Sequence, residues 1–293
     1  MRERTEVLRG QSFHLREWGD PDLPPMLMLH GFPEYSGAWS DVAAHLSDRF
    51  RCVAPDQRGY GGSWSPPEVE AYAAGELADD MAALAETLGG PLVVVGHDWG
   101  ASVAYALAIR RPDLVSRLVI LNGVHPAPFQ TALARGGAQT AASQYITWLR
   151  RPGSEDALAA DGHARLLRLF AEDMDMSWMT PARRALYVAE WSRPGRLRGM
   201  VNWYRAARMV VPEPGQTCDL PEMPVTRLTV RMPHLLIWGT GDTALLEEST
   251  EGLEAYCPDL TRVRIEGADH WLAHQHPARV ATEIRAWLDR KAT

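Results

Sequence analysis

The chain has 293 residues, 46% apolar and 23% charged, a balance that excludes disorder as its main state. Thirty Lys plus Arg against 37 Asp plus Glu leave a net charge of -7, which argues against general nucleic-acid binding. Three widely spaced cysteines (Cys52, Cys218, Cys257) form no CxxC, so a disulfide scaffold or a zinc ribbon is not expected.

The N-terminus is polar with no apolar run behind it, so no signal peptide is expected. No stretch approaches the length of a membrane span. The chain reads as a reduced, soluble, cytoplasmic protein. In chain order, residues 7–18 read as a hairpin around Gly10-Gln11 at an antiparallel edge. Short apolar runs then follow at 26–29, 50–54, 91–95 and 118–121, each ended by a turn residue. Runs that are apolar on both faces are how parallel strands covered by helices look. Between them, Leu77, Met81, Leu84 and Leu88 form one helical stripe, and 99–111 is a nearly all-apolar helix. This alternation predicts an α/β, mostly parallel, doubly wound sheet.

The pattern changes after Asn122. Between 126 and 215 no strand is predicted, only helical stretches around 138–149, 156–171, 181–191 and 197–210. Thr180 before Pro181 is a good N-cap with proline in the first turn. Strands return at 234–238 and 261–265, and the last helix carries Val280, Ile284, Trp287 and Leu288 on one face. The expected organisation is a core of residues 1–125 and 216–293, with a helical cap of 126–215 inserted after the sixth strand.

The chemistry centres on Gly96-His97-Asp98-Trp99-Gly100, after a buried strand and before a helix. Small residues around it permit a sharp turn that lifts the central side chain clear. A serine in that position needs deprotonation before it attacks, whereas a carboxylate is already ionised at pH 7. Asp98 is therefore expected to displace a leaving group at saturated carbon and form an alkyl ester, which water then cleaves. That water needs a base. His270 follows the last strand pattern, and Asp242, after the preceding strand, fits the acid that holds the imidazole. Asp269 competes with Asp242 in sequence, but its side chain should point away from its neighbour's. The HGFPE loop at 30–34 nominates the backbone N–H of Phe32, with that of Trp99, as an oxyanion hole.

HGFPE, the turn at 56–61 (DQRGYG) and GHDWG resemble the α/β-hydrolase fold, aspartate-nucleophile branch, and within it soluble-type epoxide hydrolases. The resemblance covers essentially the whole chain. It implies two cap tyrosines over the nucleophile. Tyr204, in Asn202-Trp203-Tyr204-Arg205, and Tyr145, ahead of Pro152-Gly153, match them and would donate O–H bonds to the epoxide oxygen. Tyr187 is a spare candidate expected to pack. His30, Pro33, Trp148 and Trp203 are expected to line the substrate pocket, and Trp178 and Trp191 are further aromatic candidates. His274 and His276 are expected to be solvated, and His125 either to face the site or to cap the strand.

The implied reaction is epoxide to vicinal diol, with a small apolar epoxide and water as partners, no cofactor and no metal, in a monomer or homodimer. A haloalkane or haloacid dehalogenase using the same Asp98 is the near alternative. A dehalogenase for carboxylate substrates would place Arg just after the nucleophile, where this chain has Trp99 and Ser102. A ligand-binding or sensing protein on the same fold is the alternative of another class.

Overall fold

The computed structural model describes residues 1–171, 173–220 and 222–290. The chain opens with an antiparallel pair, β1 (Arg2–Leu8) and β2 (Gln11–Trp18). The hairpin starts at Arg2 rather than residue 7. Arg2 to Glu6 alternate in charge and lack an apolar run, and Arg4 is held by Glu17 across the strand pair at 2.7 Å.

Then come β3 (Pro25–Leu29), α1 (Ser40–Ala44), β4 (Arg51–Pro55), α2 (Ala74–Thr87), β5 (Leu92–His97), α3 (Trp99–Arg110) and β6 (Val115–Leu121). The chain returns to the sheet with β7 (His234–Gly239) and β8 (Leu260–Ile265). The sheet has eight strands in the order β1-β2-β4-β3-β5-β6-β7-β8. Among the described residues only the β1–β2 and β2–β4 pairs are antiparallel.

Successive strand residues point to opposite faces, so each central strand feeds two cores. Leu27 and Leu29 join one cluster with the α2 residues Leu77, Met81 and Leu84. Met26 and Met28 join the other, with Val280, Ile284 and Trp287 of the last helix. This double burial is why these strands read as unbroken apolar runs.

The register aligns the strand ends. Leu29 pairs with Gly96, His97 with Leu121, Leu121 with Ile237 and Gly239 with Ile265. The turns that follow β3, β5, β6, β7 and β8 therefore open along one edge, the crevice where parallel sheets hold their ligands.

Between β6 and β7 the described residues carry helices and no strand. These are α4 (Pro126–Ala134), α5 (Ala138–Ala142), α6 (Gln144–Leu149), α7 (Ser154–Ala171), α8 (Pro181–Trp191), α9 (Arg196–Ala206) and α10 (Val225–Leu228). The predicted 138–149 stretch is two short helices, and α4 precedes it. The predicted 156–171 stretch is interrupted at residues 160–163, where Asp161, Gly162 and His163 all have positive φ. Thr180 caps α8, accepting from the Arg183 amide at 3.3 Å. The chain closes with α11 (Leu272–Gln275) and α12 (Pro277–Arg290). Among the described residues no helix is long and apolar enough to cross a membrane.

Candidate active site

Asp98 lies between the end of β5 and the start of α3, with φ 50° and ψ −121°. A non-glycine residue there costs on the order of 1–3 kcal/mol and persists only if its surroundings enforce it. They do so by close approach. A Cβ on Gly96 would lie 2.7 Å from the Gly100 carbonyl oxygen, and one on Gly100 only 2.1 Å from that of Leu29. The glycines on either side of Asp98 let the turn pack against β3, and the Asp98 carboxylate emerges at the positive end of α3.

The two carboxylate oxygens differ. The Phe32 amide donates to Oδ1 at 2.7 Å, and the Trp99 amide also donates to this carboxyl group. Oδ2 lies 3.7 Å from His270 Nε2. Burial pushes the Asp98 carboxyl up, and the charges of His270 and His97 and the two amides offset only part of that rise.

Asp242 follows β7 and His270 follows β8. His270 Nδ1 is 2.8 Å from Asp242 Oδ2, and both residues are 4% exposed. The other oxygen, Oδ1, accepts from the amides of Ala244 and Leu245 at 2.9 and 2.8 Å. Burial alone would lower the imidazole pKa. The charge and hydrogen bond of Asp242, then the charges of Asp98 and Glu34, override it and lift it to about 9. At neutral pH the ring is an imidazolium, held by the carboxyl groups of Asp242 and Asp98 on either side of it. Asp269 is turned elsewhere, its oxygens accepting from the amides of Trp271 and Asp175 at 2.8 and 2.7 Å.

Asn122, at the end of β6, is a part of the site that sequence reasoning missed. Its Nδ2 donates to Asp242 Oδ2 at 2.7 Å, while its Oδ1 accepts from the Gly239 amide at 2.6 Å. Asp242 Oδ2 thus has two donors, from His270 and Asn122.

Above Asp98 is a cavity of about 370 Å³, lined by Phe32, Pro33, Tyr145, Tyr204, His270 and Trp271 together with smaller and flexible side chains. Tyr145 comes from α6 and Tyr204 from α9, their rings 6.1 Å apart. Tyr204 stands edge-on to Phe32 and Trp99. Burial raises both phenols, and the Asp98 charge adds to this. Hydrogen bonding between Tyr145 and Tyr204, and from the Trp99 side chain to Tyr204, offsets a little of the rise. Both therefore stay protonated at neutral pH, as O–H donors. A larger open hollow of about 580 Å³ near Arg9, Arg110 and Arg111 lies on the surface, where each arginine is paired with carboxylates.

Three expected pocket residues stand elsewhere. His30 is 0% exposed, with Nε2 accepting from the Gln57 amide at 3.1 Å and Nδ1 2.9 Å from the Gly31 carbonyl oxygen, so it braces the loop. Trp203 donates its indole N–H to the Arg58 carbonyl at 2.9 Å and packs edge-on to Tyr60. Trp148 is covered by the Arg165 guanidinium, 3.9 Å above the ring.

Tyr187 packs outside the cavity, donating to Glu34 Oε1 at 3.1 Å. His274 is not solvated. It is buried, stacked on Trp178 at 3.9 Å, with Nε2 2.6 Å from Glu34 Oε1. Glu34 Oε2 is 3.1 Å from His97 Nδ1, and His97 Nε2 is 2.8 Å from the His270 carbonyl oxygen, so this buried cluster backs the His270 turn. Burial would raise the Glu34 carboxyl, but His274 and His97 hold it well below the usual carboxylate range. The Trp191 indole donates to the Pro33 carbonyl at 2.6 Å. His125 caps α4, accepting from the Ala127 amide at 3.3 Å.

The family model described as the alpha/beta hydrolase fold matches residues 24–277. The chain belongs to the α/β-hydrolase family. It is 31% identical over 282 residues to the AB hydrolase superfamily protein YfhM of Bacillus subtilis, covering 95% of each protein. It is 30% identical to mouse epoxide hydrolase 4 over 95% of this chain and 77% of that protein. Among solved structures, an epoxide hydrolase from metagenomes of hot environments matches with a TM-score of 0.89 and 35% identity, over 98% of both chains. The inhibitor-bound Bacillus megaterium epoxide hydrolase matches with a TM-score of 0.87 and 28% identity, over 98% of this hydrolase and 100% of that chain.

Proposed function

We propose that this hydrolase converts an epoxide to a vicinal diol through a covalent ester on Asp98. The observation that carries the reading is that two protonated phenols, Tyr145 and Tyr204, line the same cavity as Asp98. An epoxide oxygen leaves as an alkoxide, a poor leaving group that needs hydrogen-bond donors as charge develops. The matched relatives named as epoxide hydrolases support the same reaction class.

In the first step Asp98 Oδ2 attacks an epoxide carbon, the C–O bond breaks, and the ring oxygen takes a proton at the phenols. The product is a hydroxyalkyl ester. Esterification removes the Asp98 charge, one of those that hold the His270 proton, so the imidazole loses its proton more readily, and that proton restores the phenol. Neutral His270 then takes a proton from water, and the hydroxide attacks the Asp98 carbonyl carbon. The resulting oxyanion on Oδ1 is stabilised by the Phe32 and Trp99 amides. Collapse expels the diol and restores the carboxylate. The sum is epoxide plus water to diol.

Residues 126–215 act as the cap that supplies both phenols. A reducing, cytoplasmic setting goes with this reading, since Cys52, Cys218 and Cys257 are free thiols. The dehalogenase alternative is weaker, because the Trp99 side chain that would serve a halide is engaged with Tyr204. The test is diol formation from styrene oxide and a long-chain aliphatic epoxide, with halide release from a bromoalkane assayed in parallel. Diol that disappears in Asp98→Ala is expected. Halide without diol would overturn the proposal in favour of a dehalogenase.

A further inference from the structure

Gln139, on α5, is 0% exposed and touches none of the reacting groups, yet it ties together the two halves of the site. Its carboxamide uses its full bonding capacity. Nε2 donates to Ser143 Oγ at 2.8 Å and to the Ala244 carbonyl at 3.0 Å. Oε1 accepts from the Leu246 amide at 2.7 Å and from Ser249 Oγ at 2.6 Å. One backbone acceptor and one backbone donor fix which end is nitrogen and which is oxygen. The Gln139 amide adds a bond to Glu248 Oε1 at 2.6 Å.

Three of the four side-chain bonds fall on residues 244–249, the segment that follows Asp242. The start of that segment is also gripped by Asp242, whose Oδ1 accepts from Ala244 and Leu245. The fourth bond falls on Ser143, whose carbonyl accepts from Ile146 at the start of α6, the helix that bears Tyr145. Ala141, Ala142 and Ala244 line the cavity between these groups.

We propose that Gln139 is a positioning residue for ester hydrolysis, clamping the Asp242 turn to the helix that carries Tyr145. The inference rests on the epoxide hydrolase reading. Because most of the clamp acts on the Asp242 side, its loss slows deprotonation of the hydrolytic water by His270 more than it slows attack by Asp98. When breakdown of a covalent intermediate slows and its formation does not, kcat and KM fall together and kcat/KM is retained.

The experiment is steady-state kinetics of wild type and Gln139→Leu on styrene oxide, with the fraction of protein held as ester read by intact mass after acid quench. The expected result is kcat and KM both about tenfold lower, kcat/KM within twofold of wild type, and a higher ester fraction. A residue that served stability alone would lower kcat with KM and ester fraction unchanged, and that result overturns the inference. Should Gln139→Leu not fold, Gln139→Glu keeps both acceptor bonds and loses the donors to Ser143 and Ala244. It should show the same paired fall, about threefold, and an unchanged KM and ester fraction would overturn the inference. Wild type forming no diol would overturn the enzymatic reading itself, and the clamp with it.

Discussion

The proton on His270 provides the most quantitative check on the site. His270 Nε2 is 3.7 Å from Asp98 Oδ2. For unit charges at that distance Coulomb's law gives about 4 kcal/mol with an effective dielectric of about 20, and about 1 kcal/mol in bulk water. Replacing Asp98 by Ala removes this attraction but leaves the 2.8 Å contact with Asp242 intact. The imidazolium should therefore become roughly tenfold to a thousandfold more acidic, at about 1.4 kcal/mol per tenfold. NMR titration of the His270 ring in both proteins measures the change. Wild type should titrate at about 9 and Asp98→Ala at a clearly lower pH. The same loss of charge accompanies esterification, so single-turnover ester hydrolysis should reach its plateau below the wild-type midpoint. An unchanged midpoint in Asp98→Ala would refute the claim that ester formation prepares the base.

Three further outcomes follow from the same geometry. Tyr145→Phe and Tyr204→Phe should each slow ester formation by about ten- to a hundredfold while sparing ester breakdown, as rapid-quench kinetics would resolve. Equal slowing of both steps would remove the phenols from their role. The folded chain holds the His270 proton more tightly than the unfolded chain, so the associated stabilisation is fully present below about pH 6.5 and is lost as pH rises through about 9. Urea denaturation should show wild type losing on the order of 2 kcal/mol relative to His270→Gln across that window, and parallel curves would contradict it. Among the described residues no Arg or Lys lines the cavity, while Asp173 stands among the lining residues. A carboxylate-bearing epoxide should therefore react at least about tenfold more slowly than its methyl ester at low ionic strength, and equal kcat/KM would refute this.

What the sequence made legible was the chemistry carried by local patterns. The strand–turn–helix around Asp98 is written in adjacent residues, because the glycines at 96 and 100 are required by backbone contacts within the turn and with the neighbouring strand. The strand ends bearing Asp242 and His270 followed from apolar runs that stop at turn residues. Asp242 is preferred for its place after the preceding strand, and Asp269 is set aside because its side chain should point away from its neighbour's; in the structure Asp242 meets His270 and Asp269 accepts from the Trp271 amide.

Facing direction was harder to read. Neighbouring residues on a helix point about 100° apart, so with Tyr204 toward the cavity its neighbour Trp203 points into the core, where its indole meets a carbonyl. His274 looked solvated because its partners Glu34 and Trp178 are far away in the chain and belong to other elements. Asn122 and Gln139 were invisible for the same reason. Each bonds across roughly 100 or more residues of chain, and an isolated amide side chain carries no local signature.

A covalent ester on Asp98 that His270 releases should accumulate when His270 cannot act as a base. The most direct test is intact-mass analysis of His270→Gln after incubation with styrene oxide, followed by peptide mapping. The expected result is a mass increase equal to the epoxide, confined to the peptide containing Asp98 and absent from Asp98→Ala. Diol production at the wild-type rate without an adduct, or an adduct on another residue, would contradict it.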